Sequence, residues 1–242
     1  MTVEFAELTI QQSLDVYAMP EHLPEAQITK FLRSCVKSTK VVDVDPINWT
    51  VQERMLAVSH YMACSYKDSD GFDFSIGSGK YSDYFDANMT VSPVLKTVEI
   101  GNIGGDNWHI KHITGSMSEA IEITLGMIEI SPALHFLIGS MAAQLTIDGK
   151  SLPEFELEQQ RYDWLVERIQ TFLAYPESDF SALLSLYLAN KYKLDHFFKI
   201  NSDDIGFYAL PLDSGEALGL PPTRFQPVFC LSRAVRDLAK LS

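Results

Sequence analysis

The chain has 242 residues, and its 32 acidic residues against 19 Lys and Arg give a formal net charge of −13 at pH 7. An apolar fraction of 46% and a charged fraction of 21% are typical of a folded globular protein, not of a disordered one. Because phosphate binding requires a basic surface, this charge disfavours nucleic acid as the main partner. The length suits one large domain, and we expect residues 1–242 to form a single domain with at most a soft boundary within 67–92.

The sequence also predicts a compartment. Its three cysteines are odd in number and widely spaced, which is not the pattern of a disulfide framework. Glu4 and Glu7 stand where a signal peptide would carry basic residues. The most apolar window, residues 132–147, is shorter than the ~20 residues of a membrane-spanning helix. We therefore expect a reducing cytosol and no membrane partner.

The first predicted elements are a short strand within residues 3–10 and a helix that ends near Met19. Thr9 and Gln12 have the spacing of a capping box at the start of this helix. Pro24 opens a second helix whose apolar residues recur at helical spacing.

Thr50 and Glu53 form a second predicted capping box, which starts a third helix. Residues 67–92 show neither helical nor strand periodicity, and we interpret them as a long ordered loop with at most one short strand. Two runs at 94–103 and 108–113, separated by a Gly-Gly turn, predict a β-hairpin.

The rest of the chain is predicted to be mainly helical. Ser116 and Glu119 have capping-box spacing, and Ser131 before Pro132 starts a helix that runs to about Leu145. A long amphipathic helix follows, and the residues that we expect to face inward are Leu157, Trp164, Leu165, Ile169, Phe172 and Leu173.

Four further elements complete the prediction: a helix over 180–192, strands at 196–200 and 205–210, and a basic terminal helix with Arg233, Arg236 and Lys240. Together the elements predict an α+β, mainly helical fold. It would be a helical bundle with a short N-terminal β element and one or two β-hairpins.

The motifs that carry chemistry are incomplete. Gly77-Ser-Gly79-Lys80 lacks the first glycine and the final Ser or Thr of a phosphate-binding loop, so a flexible turn is favoured. The acidic run with Asp68 and Asp70 departs from calcium-loop spacing and is interpreted as a solvated turn. His60 and Cys64 share a helix face, where we expect Cys64 to be an inert core thiol. We therefore predict no catalytic, metal or cofactor site.

Surface character suggests binding instead. Residues 147–180 carry eight acidic and three basic residues, which suits a solvated flank or docking to a basic partner. The aromatic residues outside a clean helical stripe are candidates for partner binding, because aromatics are enriched at interfaces; they are Tyr81, Tyr84, Phe85, Phe197 and Phe198. The alternative is that these side chains close the ends of the core.

Several segments resemble a family of tailed-bacteriophage proteins encoded among the tail and baseplate genes; they are residues 45–63, 73–84, 196–198, 219–225 and 230–233. More distantly, the layout is similar to the baseplate hub assembly chaperones of contractile-tailed phages. The resemblance implies a protein that binds other phage tail or baseplate proteins, located in the host cytoplasm or in the virion tail. It implies no catalytic residue.

Two main hypotheses follow. The first is an assembly chaperone that holds a tail or hub protein and leaves before completion. The second is a structural baseplate or tail-tip subunit retained in the virion, for which the loop 67–92 should be mobile in the isolated protein. A small hydrolase ranks below both, because no catalytic motif supports it. The sequence leaves the partner and the oligomeric state open.

Overall fold

The computed structural model describes residues 3–37, 45–65, 73–89, 97–148, 150–213 and 219–232, together with 235, 237 and 238. The α-helices within these residues are α1 (Ile10–Tyr17), α2 (Pro24–Cys35), α3 (Val51–Ser65), α4 (Gly115–Ile123), α5 (Pro132–Gln144), α6 (Glu158–Leu173) and α7 (Glu177–Asn190). The strands are β1 (Glu4–Phe5), β2 (Val36–Lys37), β3 (Ser75–Ile76), β4 (Gly79–Lys80), β5 (Thr97–Ile103), β6 (Asp106–Lys111), β7 (Leu145–Ile147), β8 (Lys199–Ser202) and β9 (Phe207–Leu210).

The strands form small antiparallel sheets around the helices. β1 pairs with β2, β3 with β4, and β8 with β9, while β5, β6 and β7 form a three-stranded sheet with β6 in the centre. The β5–β6 turn uses Gly104 and Gly105, both at positive φ, which glycine adopts without steric cost. The predicted α+β, mainly helical class with a short N-terminal β element is confirmed.

Capping chemistry explains several of the helix starts. The Thr9 hydroxyl accepts a hydrogen bond from the Gln12 backbone N–H, and the Gln12 side chain accepts one from the Thr9 N–H, as predicted. The same reciprocal pair forms between Thr50 and Glu53 at the start of α3. These helices therefore begin where the local sequence satisfies their first backbone donors.

Three details differ from the predictions. α4 begins at Gly115 after Thr114, so Ser116 lies inside the helix and the predicted capping box with Glu119 does not form. Leu157 and Leu173, expected to face inward, are exposed, because they lie just before the first turn of α6 and at its last residue. β7 follows α5 directly and was not anticipated, since three residues are too few to show a strand period.

A basic terminal helix was predicted with Arg233, Arg236 and Lys240. These three residues lie outside the described part of the chain.

A buried ion cluster joins α2, α3 and α4. The Arg54 guanidinium donates hydrogen bonds to the Glu25 carbonyl oxygen at 2.6 Å, the Thr29 hydroxyl at 2.8 Å and the Ser118 hydroxyl at 3.1 Å. It also lies 3.7 Å from the Glu25 carboxylate and 3.9 Å from that of Glu119. One arginine from α3 thus contacts groups on both neighbouring helices.

The same cluster supplies the cap of α2. Leu23 precedes this helix and offers no side-chain cap. The Glu122 carboxylate of α4 instead accepts hydrogen bonds from the backbone N–H groups of Glu25 at 2.7 Å and Ala26 at 3.0 Å. A helix that lacks a local cap is therefore held by a distant one, because free N–H groups at a buried helix end are costly.

Burial and the nearby Glu25 charge raise the pKa of Glu122 to about 8, and burial also raises the pKa of Glu119. Burial and the neighbouring carboxylates therefore favour the protonated form of Glu122, while its bonds from the Glu25 and Ala26 N–H groups act in the opposite direction.

The tight packing of this cluster predicts that Gly115→Ala is destabilising. A Cβ atom at Gly115 would lie 2.2 Å from Arg54 Nη1, and Arg54 is fixed by its hydrogen bonds. We expect the free energy of unfolding to fall by about 2 kcal/mol, because overpacking a core destabilises a protein by this order. In the control Gly139→Ala, the nearest atom is 3.1 Å away on the Ile121 side chain, and the change should be smaller. Urea denaturation at pH 7 measures both variants, and equal losses would contradict the prediction.

Glu122→Gln tests the pKa of Glu122. Because the folded state keeps a proton that the unfolded state releases above the ordinary pKa of 4.5, this residue makes stability decrease as the pH rises from 4.5 to about 8. The slope should approach about −1.4 kcal/mol per pH unit within that window. The variant should lose this contribution, whatever its absolute stability. Denaturation curves at several pH values measure the difference in slope, and parallel profiles for both proteins would refute the assignment.

Candidate functional site

The five aromatic residues proposed for partner binding lie in the core. Tyr81, Tyr84, Phe197 and Phe198 are buried and Phe85 is half-buried. The Tyr81 ring stacks on those of Phe74 and Phe85, with centroids 5.5 and 5.1 Å apart. The rings of Tyr81, Phe85 and Phe198 also contact one another. This placement agrees with the alternative of core closure, and partner binding by the five residues stays a prediction.

The described part of the predicted loop, residues 73–89, is anchored to this aromatic cluster. It contains β3, β4 and a 3₁₀ turn at Tyr81–Asp83, and it hydrogen-bonds to the segment before β8. The Asp86 N–H donates to the Phe197 carbonyl oxygen at 2.8 Å, and the Phe197 N–H donates to that of Met89 at 2.7 Å. The segment is therefore held by backbone hydrogen bonds and by its buried aromatic residues.

Two of the candidate motifs, the glycine-rich segment and the His60–Cys64 pair, are structural features of the fold. Gly77, at positive φ, forms the turn between β3 and β4, which agrees with a simple turn at Gly77–Lys80. Cys64 is exposed rather than in the core, because it lies near the end of α3 on the side away from the buried stripe. Asp68 and Asp70 lie outside the described residues. Among the residues that the structure does describe, no group of three or more His, Cys, Asp or Glu could hold a metal ion.

A small polar cavity lies between α5, α7 and the β8–β9 hairpin. Its volume is about 40 Å³, and the polar side chains that line it are Gln52, His112, Ser140, Gln144, Tyr187, Lys191, Asp195, Asn201 and Ser202. The Tyr187 hydroxyl donates to Gln144 Oε1 at 2.8 Å, and Lys191 Nζ donates to Asn201 Oδ1 at 2.9 Å. Burial raises the pKa of Asp195 to about 7 and lowers that of Lys191.

This cavity gathers titratable groups, yet it is too small for a substrate. Pockets for small ligands span roughly 300–1,000 Å³, whereas a water molecule occupies about 30 Å³. A volume of about 40 Å³ accommodates a few water molecules at most. The polar lining is thus a buried hydrogen-bonded layer between helices and hairpin.

A larger groove opens at the surface between α6 and the edge of the three-stranded sheet. Its volume is about 340 Å³, and we call it the Trp108–Arg168 groove; it is lined by Trp108, Ile147, Trp164, Glu167, Arg168, Thr171, Phe172 and Tyr175. Helical spacing explains the α6 side, because Trp164, Arg168 and Phe172 are four residues apart. β6 and β7 supply the other wall.

The groove places a half-buried arginine among aromatic rings. The Arg168 guanidinium carbon lies 5.4 Å from the Trp164 ring centroid and 5.5 Å from that of Phe172. Its Nη2 donates a hydrogen bond to the Leu145 carbonyl oxygen at the sheet edge. Its Nε has no hydrogen-bond partner among the described residues, and neither has the indole N–H of the buried Trp108. The base of the groove therefore has more donors than acceptors.

The charge around Arg168 is uncompensated. No carboxylate of the described residues lies within 4.0 Å of Arg168 or of Lys111 on β6, since all the ion pairs there involve other cations. Burial lowers the pKa of Arg168. Burial, and after it the charge of Arg168, lowers the pKa of Lys111. Glu167 lies exposed at the rim without pairing to Arg168.

The sequence contained part of this signal. Trp164 and Phe172 were predicted to face inward, but Trp164 is only half-buried and borders the groove. The four-residue spacing of Trp164, Arg168 and Phe172 was visible, whereas the position of Trp108 opposite them depends on the fold.

Comparison of the chain with models of known protein families, with characterised proteins and with solved structures finds no match. Within the described residues, none of the helices is both long and apolar enough to span a bilayer.

The polar cavity predicts a cost for Tyr187→Phe. The variant removes the hydroxyl that donates to Gln144 Oε1 and leaves a buried acceptor unsatisfied, so unfolding free energy should fall by about 1–3 kcal/mol. Tyr192→Phe is the control, because Tyr192 is exposed and its hydroxyl can be replaced by water. Thermal and urea denaturation measure both variants; a loss for Tyr192→Phe as large as that for Tyr187→Phe would contradict the assignment.

Proposed function

We propose that this protein binds another polypeptide during assembly of a bacteriophage tail or baseplate, as an assembly chaperone in the host cytoplasm. The observation that carries the proposal is the Trp108–Arg168 groove, a surface depression of about 340 Å³ in which Trp, Tyr, Phe and Arg side chains converge. These residue types dominate the binding energy of protein–protein interfaces, particularly where they line a pocket. The resemblance to tail and baseplate gene products supplies the class of partner.

The packing of residues 73–89 favours the chaperone over a subunit retained in the virion. A retained subunit was expected to keep the loop 67–92, of which residues 73–89 are described, mobile in the isolated protein. Instead, Phe74, Tyr81 and Tyr84 are buried within the chain itself. The small hydrolase is disfavoured by the size of the polar cavity, about 40 Å³.

The acidic flank offers a second contact that fits this function. Glu158, Asp163 and Glu167 on α6 are exposed, as the sequence predicted for a solvated face. This negatively charged surface accelerates association with a positively charged partner and repels polyanions. The groove and the flank share α6, so a partner that contacts both must present basic residues to the flank.

Co-expression with the tail and baseplate genes of the same phage tests the proposal. We expect one tail protein to co-purify with this chain at a fixed ratio, and mass spectrometry of purified virions to detect that protein but not this chain. Detection of stoichiometric peptides of this chain in virions would refute the chaperone role and support the retained structural subunit. Failure of every tail and baseplate protein to co-purify would refute assembly binding altogether.

A further inference from the structure

We infer that the Trp108–Arg168 groove recognises a carboxylate next to a large apolar side chain, presented by an acidic segment of the partner polypeptide. This inference rests on the proposed function, since it specifies the occupant of the same groove. Its basis is the charge complementarity between the groove and such a segment.

Arg168 is a half-buried cation without an ion pair among the described residues, in a chain that is rich in carboxylates. The chain carries 32 carboxylate side chains and 19 lysines and arginines, so most cations could be paired internally. Arg168 nevertheless has no carboxylate of the described residues within 4.0 Å, whereas Arg33, Arg54, Lys199 and Arg224 are all paired. A carboxylate at this position would supply the ion pair that Arg168 lacks.

The donors of Arg168 favour a carboxylate. A guanidinium has five N–H donors in a planar fork, and the described residues accept one hydrogen bond from Arg168, at the Leu145 carbonyl. The rings of Trp164 and Phe172 lie beside it, and the hydrogen bond to Leu145 helps to orient it. A fixed guanidinium edge is suited to the two oxygens of a carboxylate.

The aromatic walls require an apolar group beside the charge. Trp108, Trp164, Phe172 and Tyr175 line the groove around Arg168. A carboxylate alone would leave the half-buried rings of Trp164 and Tyr175 partly exposed to water, while an adjacent Phe, Leu or Trp side chain would cover them. A chain of phosphates offers no such apolar group. The features together therefore favour an acidic, apolar peptide segment.

Two short peptides test the charge preference on the full chain. The first is acetyl-Gly-Phe-Glu-Gly-amide, and the second replaces Glu with Gln, so the pair differs only in the carboxylate. Two of the three tryptophans line the groove, which makes their fluorescence a reporter of binding. We expect the Glu peptide to bind about tenfold more tightly at low salt, a typical gain from a charge-assisted hydrogen bond. Equal dissociation constants would overturn the inference.

Matched variants on α6 locate the effect. Arg168→Gln should abolish the preference for the Glu peptide, while Arg161→Gln, which removes an equal charge outside the groove, should retain it. Arg168→Lys keeps the charge and should preserve part of the preference if Arg168→Gln fails to fold. In NMR spectra, the indole N–H signals of Trp108 and Trp164 should shift with the Glu peptide, and that of Trp49 in the core should not. Loss of preference in Arg161→Gln, or a shift confined to Trp49, would refute the site.

Competition experiments separate this occupant from others. An alanine in place of Phe in the Glu peptide should weaken binding several-fold, because the aromatic walls then stay exposed. Displacement of the Glu peptide by inorganic phosphate at a lower concentration than by acetate would identify a phosphate site and overturn the inference.

The failures of the two proposals are distinguishable. Co-purification of a tail protein with Arg168→Gln as efficiently as with the unmodified chain would refute the groove as its docking site and leave the assembly function standing. Selective peptide binding without any tail partner would support the groove chemistry and refute the assembly function.

Discussion

The buried contact of Arg54 with α2 and α4 is the interaction on which the arrangement of the chain depends. The residues before α3 and α4 are already joined, because the Val51 N–H donates to the Ile113 carbonyl at 3.1 Å and the Gly115 N–H donates to that of Trp49 at 2.8 Å. This pairing brings the two helix starts together, and the glycine at 115 leaves the space that the guanidinium fills. α2 then joins the same group through its N-terminal turn. Since α4 follows β6 closely in the chain, the cluster also fixes the position of the three-stranded sheet.

The protein distributes its charges unevenly between interior and surface. The Arg54 cluster has more carboxylates than cations, and burial raises the pKa of Glu122 to about 8. At the Trp108–Arg168 groove, by contrast, Arg168 has no carboxylate of the described residues within ion-pair distance. A buried carboxylate can be neutralised by protonation, a route that arginine lacks because its pKa lies far above neutral pH. An excess of cation can only be balanced by an anion or by water.

Sequence patterns predicted an element correctly where the residues that determine it are close together in the chain. The capping pairs at Thr9 and Thr50 and the glycine turn before β6 each satisfy their own backbone, and all appear in the structure. The failures occur where a distant residue competes. Glu119 has capping-box spacing from Ser116, but the Thr29 hydroxyl donates to its carboxylate and Arg54 lies beside it, so it serves the cluster instead. Likewise, no local signal shows that the aromatics around Tyr81 and Phe198 meet one another in the core.

Polar residues converge both in the cavity and in the groove, but their hydrogen bonding differs. We therefore infer different roles for the two sites. In the cavity, Tyr187 bonds to Gln144 and Lys191 bonds to Asn201, so these polar groups have partners within the chain, although Gln52 Oε1 has none among the described residues. In the groove, the rings of Trp164 and Phe172 hold the Arg168 guanidinium in place without neutralising it. Satisfied groups stabilise a fold, whereas an oriented and uncompensated charge with apolar walls retains interaction energy for a second molecule. A site of the second kind is preorganised for binding, and its occupant must supply what the walls lack: a negative charge and an apolar surface.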